Sequence, residues 1–95
     1  MGVMSRKEAE GGLKSARGWR LKKGEITKTF EFPDFARAMG FVQAVALKAE
    51  RANHHPDIDI RWNKVTLTLS THSEGGLTEK DFKLAKEINT LSHGR

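Results

Sequence analysis

Apolar and polar positions along the chain alternate in two different rhythms, and the changes between them divide it into elements. From residue 17 onward Trp19 and Leu21 alternate with polar neighbours, Lys22-Lys23-Gly24-Glu25 supplies a turn, and Ile26, Phe30 and Phe32 face away from Thr27, Thr29 and Glu31. This predicts a β-hairpin. Pro33 cannot continue a ladder, and Asp34 is a suitable N-cap for a helix over about 34–52, in which Phe35, Met39, Val42, Ala46 and Ala49 recur at helical spacing as the stripe expected to face a sheet. A second set, Phe41, Val45 and Leu47, lies outside that stripe and is expected to widen the apolar surface, either as deeper core or as a contact with another subunit. Pro56 biases His55 toward extended backbone, so this helix ends before it.

A second hairpin follows. Ile58, Ile60 and Trp62 alternate with Asp57, Asp59 and Arg61, and Asn63-Lys64 leads into the strand that runs from Val65 to His72. Val65, Leu67 and Leu69 share one of its faces, leaving Thr66, Thr68, Ser70 and His72 for a polar, uncovered face. Beyond Gly75-Gly76, Thr78 as N-cap, Asp81 three residues on, and Leu77 against Phe82 form a capping box with a hydrophobic staple; the helix they open runs through Leu84, Ala85, Ile88 and Leu91. The expected fold is α+β: a four-stranded antiparallel sheet in the order β-β-α-β-β-α, both helices on one face and the other face open. Residues 1–16, with Gly11-Gly12 and little apolar material, are expected to be flexible or weakly helical and to add little to the core, and residues 17–95 to form the single domain.

Composition narrows the chemistry. The chain has 95 residues, 37% of them hydrophobic, enough for one globular domain and one site. It has no cysteine, which excludes disulfides, zinc ribbons and thiol catalysis. No run of apolar residues reaches a membrane span and the start lacks the apolar stretch of a signal peptide, so no membrane role and a cytoplasmic location are expected. The net charge of +5 resides before residue 29, where eight Lys/Arg meet three Glu; nine meet nine thereafter. A basic leading segment on a neutral body is weaker evidence for a nucleic-acid surface than a basic stripe with interleaved aromatics would be; nucleic acid is not the expected partner, and an open sheet face that binds it is suggested only by the basic hairpin.

The candidate chemistry is histidine. His54 and His55 are adjacent, and neighbours in extended backbone point to opposite sides, so they suit a shared metal ion poorly; no metal is expected. Imidazole titrates near neutral pH and suits proton transfer, and His72, at the end of the polar strand face, would converge on the same pocket. Taken singly, each has a plainer reading: a surface His pair, an exposed strand end, a capping acid at Asp81, a helix-ending charge at Glu50.

Taken together, Glu50, His54-His55-Pro56, Trp62, His72 and Asp81 stand at spacings that resemble the signature of the pterin-4a-carbinolamine dehydratases. The surroundings FEFPDFARAMGFVQAVALKAERANHHPD and THSEGGLTEKDFKLAKEI, together with Gly18-Trp19, are similar to that family from about residue 17 to 91. The chain departs from it at the start, where the helix that commonly precedes the Gly-Trp is short and glycine-broken. The resemblance implies a hydro-lyase that removes water from 4a-hydroxytetrahydropterin to give quinonoid dihydropterin, in tetrahydrobiopterin recycling, with no cofactor. It implies a catalytic set of His54, His55 and His72, with His55 and His72 at the 4a-hydroxyl and His54 on the nitrogen side. Pro56, Thr71, Ser73 and Trp62 would contact the pterin, Glu50 would orient His54, and Asp81 would serve His72. A homodimer or homotetramer is implied. Two other roles stay open: a part in molybdopterin metabolism, and a protein-binding coactivator module marked by Phe41 and Val45.

Overall fold

The structure, a computed structural model, describes residues 2–93; Met1, Gly94 and Arg95, which belong to the expected segments 1–16 and 17–95, lie outside it. Its elements are α1 (Arg6–Leu13), β1 (Arg20–Lys22), β2 (Glu25–Glu31), α2 (Phe35–Ala52), β3 (Asp57–Arg61), β4 (Lys64–Leu69), a single 3-10 turn at His72–Glu74, and α3 (Glu79–His93). The strands form one antiparallel sheet in the order β1-β2-β4-β3. Ile26, Phe30, Val65, Leu67 and Leu69 point to the helices and are buried with Leu84, Ala85 and Ile88 of α3. On the other face the hydroxyls of Thr27 and Thr68, and of Thr29 and Thr66, pair at 3.2 and 2.8 Å across the β2–β4 ladder. This is the expected α+β arrangement with an open polar face.

Two expectations are corrected. The leading segment forms α1, closed by a capping box in which Ser5 Oγ accepts from the Glu8 N–H at 3.1 Å and Glu8 Oε1 accepts from the Ser5 N–H at 2.8 Å. Ala9 and Ala16 are buried in the core, and Met4 and Leu13 pack against it. Gly12, read as a breaker, is a point of close approach: a Cβ there would stand 2.9 Å from the Phe82 ring.

The second correction is the rotation of α2. Its buried stripe is Ala38, Phe41, Val45 and Ala49, with the Phe41 ring 4.8 Å from Phe30 and 4.9 Å from Phe32 between centroids. Phe35 and Met39 are instead 50% and 39% exposed, and Val42 is half-buried. Both stripes are apolar, and the one carrying the larger β-facing bulk at mid-helix fills the sheet's concavity.

Candidate active site

The site starts from how α2 ends. Asn53 adopts a left-handed conformation (φ 51°, ψ 44°), and its N–H and that of His54 turn back onto the Glu50 and Ala49 carbonyls at 3.1 and 3.0 Å. The chain is thereby reversed, and Pro56 leads it into β3. His54 is directed at the first turn of α3, where its Nε2 lies 2.6 Å from Oδ1 of Asp81. Asp81 has no solvent exposure, and the His54 side chain is 11% exposed.

A carboxylate removed from water requires donors, and Asp81 has them. Its Oδ2 accepts from the Thr71 hydroxyl at 2.8 Å and from the Thr78 N–H at 2.9 Å. Thr71 spends its single proton on Asp81, so the Thr78 hydroxyl, 2.8 Å away, donates to Thr71 Oγ1 and itself accepts from the Lys80 N–H at 3.3 Å. With both carboxylate oxygens acting as acceptors, His54 Nε2 is the donor. In the neutral ring Nδ1 then carries the lone pair, and no protein group among the described residues engages it. A buried acid thus fixes both the orientation and the tautomer of one imidazole.

His55 takes a separate partner. Its Nε2 lies 2.5 Å from Glu50 Oε1, in a pair with both side chains largely exposed. Two expected roles are therefore corrected: Glu50 orients His55 and not His54, and Asp81 serves His54 and not His72. His72 opens the 3-10 turn, exposed, on a shallow concavity of about 260 Å3 with Lys23, Glu25 and Ser70; its neighbour Ser73 is also exposed. Thr71, beside it, is buried and belongs to the Asp81 network.

The histidine pair precedes Asp57, which pairs with Thr68, and His72 follows β4, so all three rings are delivered to one end of the sheet. Trp62 is not. It sits in the tight turn after β3, with φ of 54° and 70% exposure. Roughly 20 Å of extended chain separates it from His55. Within one chain it does not wall the histidine cleft, which corrects that expectation; the turn is held through Asn63, whose Nδ2 donates to the Phe32 carbonyl at 2.8 Å.

Sequence reasoning missed a further group. His54 lines a cleft of about 320 Å3 between α2 and α3, with Lys48, Arg51, Ala52, Lys80, Lys83, Leu84 and Glu87. The signal was present as two pairs of cations at i and i+3, one near the end of α2 and one near the start of α3. Among the described residues no three His, Asp or Glu side chains gather as a metal ion would require, and no helix is long and apolar enough to cross a membrane.

With this geometry in place, the comparison with known proteins is decisive. The family model described as pterin 4 alpha carbinolamine dehydratase matches residues 3–91, nearly the whole chain. The chain belongs to that family. Provisionally named pterin-4-alpha-carbinolamine dehydratases of Roseiflexus sp. strain RS-1 and of Acidobacterium capsulatum are each 53% identical to it, over 88 and 91 residues. The alignments cover 93% and 96% of this chain and 95% and 99% of the relatives. The crystal structure of a transcriptional coactivator/pterin dehydratase from Brucella melitensis superposes with a TM-score of 0.92 at 38% identity, covering 96% of this chain and 99% of that one. A pterin dehydratase-like protein identified as a RuBisCO assembly factor in the alpha-carboxysome is more distant, with a TM-score of 0.68 at 26% identity over 82% of this chain and 93% of that one. The family match begins at residue 3, so it takes in α1, the segment in which the sequence had suggested a departure.

Proposed function

We propose that the protein dehydrates a 4a-hydroxytetrahydropterin to the quinonoid dihydropterin by histidine general acid and base catalysis, in the recycling of tetrahydrobiopterin. The observation that carries this reading is His54, held through Nε2 by fully buried Asp81 with its second nitrogen unengaged. In the reaction the C4a–O bond breaks, the N5–H bond breaks, and a double bond forms between N5 and C4a. Water leaves when an acid supplies a proton to the departing hydroxyl. His54 Nδ1 takes the N5 proton. Asp81 stabilises the imidazolium that results, because Nε2–H already points at a carboxylate. His55, with Glu50 beside it, and His72 supply the acid on the hydroxyl side, and exposed Ser73 flanks the pterin there, whereas Thr71 is buried in the Asp81 network and acts only through it. Each turnover returns one proton per proton taken, so no cofactor enters. General acid–base assistance is worth about 10² to 10⁴ in rate.

The test follows the absorbance of 4a-hydroxytetrahydropterin as it decays. Substoichiometric protein accelerates the decay; equal rates with and without it contradict the proposal.

The partner we assign to the outer face of α2 is a second copy of the chain, in a homodimer or homotetramer. Phe35, Met39, Val42 and Ala46 line a broad apolar depression there, and a family of small enzymes commonly covers such a face by symmetric pairing. Met39→Glu is expected to shift the protein to the monomer in sedimentation velocity with its melting midpoint within a few degrees of wild type; a wild-type protein that sediments as a monomer contradicts the assignment. Phe41 and Val45, expected to mark a coactivator module, are core, so they do not form its surface; the coactivator alternative itself draws support from the likeness to the transcriptional coactivator/pterin dehydratase of Brucella melitensis.

A further inference from the structure

The buried acid of the site reaches toward two histidines. Asp81 Oδ1 accepts from His54 at 2.6 Å, and Asp81 Oδ2 accepts at 2.8 Å from the hydroxyl of Thr71, the residue immediately before His72. Thr71 is 3% exposed, and its backbone is engaged as fully as its side chain. Its N–H donates to the Gly76 carbonyl at 2.9 Å, and its own carbonyl accepts from the Glu74 and Gly75 N–H groups at 2.9 and 3.0 Å. These bonds close residues 71–76 on themselves, so the turn that opens at His72 is braced internally. The leading segment braces it from behind: Met4 N–H donates to the Leu77 carbonyl at 2.7 Å, and a Cβ at Gly76 would stand 2.8 Å from Cγ1 of Val3. What ties the turn to Asp81 is the bond from Thr71 Oγ1.

We infer that Thr71 is a positioning residue for the dehydration: its hydroxyl, through Asp81, sets the place of His72 relative to His54. The inference rests on the functional reading above and deepens it. In that reading His54 takes a proton at N5 while His72 helps to deliver one at the oxygen on C4a, and N5 and C4a are bonded to each other. Groups that serve adjacent atoms must keep a fixed separation, since a displacement of about 1 Å costs about 10²-fold in rate. His72 is exposed and has no packing of its own to fix it; the fixed point is the buried residue beside it. Threonine suits that task. Its β-branch restricts the side-chain rotamer, and because the Thr78 hydroxyl donates to Thr71 Oγ1 at 2.8 Å, the proton of Thr71 is left for Asp81. Valine has the same shape without the proton, and serine has the proton without the methyl group.

The experiment is a cycle of full-length proteins, each matched to wild type by circular dichroism: wild type, Thr71→Val, Thr71→Ser, His72→Ala and Thr71→Val/His72→Ala, assayed by the decay of 4a-hydroxytetrahydropterin. Thr71→Val is expected to lower kcat by about ten-fold or more with a smaller change in KM, and Thr71→Ser to stay within about three-fold of wild type. The double variant decides the matter. Because Thr71 acts through His72, the double variant should be no slower than His72→Ala alone, whereas a threonine with a merely structural role would lower the rate by the same factor in both backgrounds. If valine against the carboxylate prevents folding, Thr71→Ala takes its place in the cycle with the same expected outcome, since the vacated space admits a water molecule to Asp81 Oδ2. Full activity of the variant lacking the hydroxyl, a Thr71→Ser protein no better than it, or losses that multiply in the double variant overturn the inference and leave the dehydratase reading standing. His72→Ala at the wild-type rate overturns it as well and removes His72 from the mechanism. A wild type that does not accelerate the decay overturns the reading and the inference together.

Discussion

Replacing Asp81 by alanine is expected to cost about 3–5 kcal/mol of folding stability, a large share of what a domain of this size possesses. The side chain has no contact with solvent, and its removal strands three donors at once: His54 Nε2, the Thr71 hydroxyl and the Thr78 N–H. The N-terminus of α3 loses the acid of its capping box in the same step, although Thr78 still accepts from the Lys80 N–H. Asp81→Asn separates structure from chemistry. The amide keeps the shape and one acceptor, so its stability loss should be smaller. An NH2 facing His54 Nε2, however, favours the lone pair there and the proton on Nδ1, the wrong tautomer for the base we propose at N5. Urea unfolding of the three proteins, read by tryptophan fluorescence and circular dichroism, checks the ranking. A loss below about 1 kcal/mol for Asp81→Ala would show that the network does not bear on stability as described.

Phe41→Ala should be comparably damaging, by about 3–5 kcal/mol, because the ring lies between Phe30 and Phe32 beneath the sheet and the backbone around it cannot collapse into the void. Met39, two residues earlier on the same helix, should tolerate alanine with less than about 1 kcal/mol in the monomer. The contrast reads out the rotation of α2 directly. If the monomer loses more from Met39→Ala than from Phe41→Ala, the helix faces the sheet with its other stripe.

That rotation also shows where the sequence stopped being sufficient. Strand alternation at Ile26–Phe32 and Val65–Leu69, Pro33 and the caps at Asp34 and Thr78 each had a local physical cause, and the sheet, two helices and open face followed from them. In α2 the expected stripe 35/39/42/46/49 competes with 38/41/45/49, the two sharing Ala49, which is buried as expected; the choice between the rest depends on the shape of a sheet built from residues far along the chain. The first helix carries a capping-box pattern, Ser5-x-x-Glu8, which the expectation of a flexible or weakly helical segment did not take into account; that expectation rested on Gly11-Gly12 and the scarcity of apolar residues, and the reason for a glycine at 12 is the Phe82 ring seventy residues later. At the site the residues were legible and their pairing was not. Glu50 and His54 stand at i and i+4, a contact on a continuing helix, yet the left-handed Asn53 ends the helix between them and hands Glu50 to His55. Asp81 looked sequentially close to His72, whereas folding carries His54 to it from 27 residues away.

The central claim is that His54, oriented by Asp81, is the base of a pterin dehydration. Its most direct test is stopped-flow measurement of 4a-hydroxytetrahydropterin decay with wild type and with folded His54→Ala at equal concentration. The rate above the unassisted background is expected to fall by about 10² or more in the variant. A His54→Ala protein that accelerates the decay as well as wild type would contradict the account.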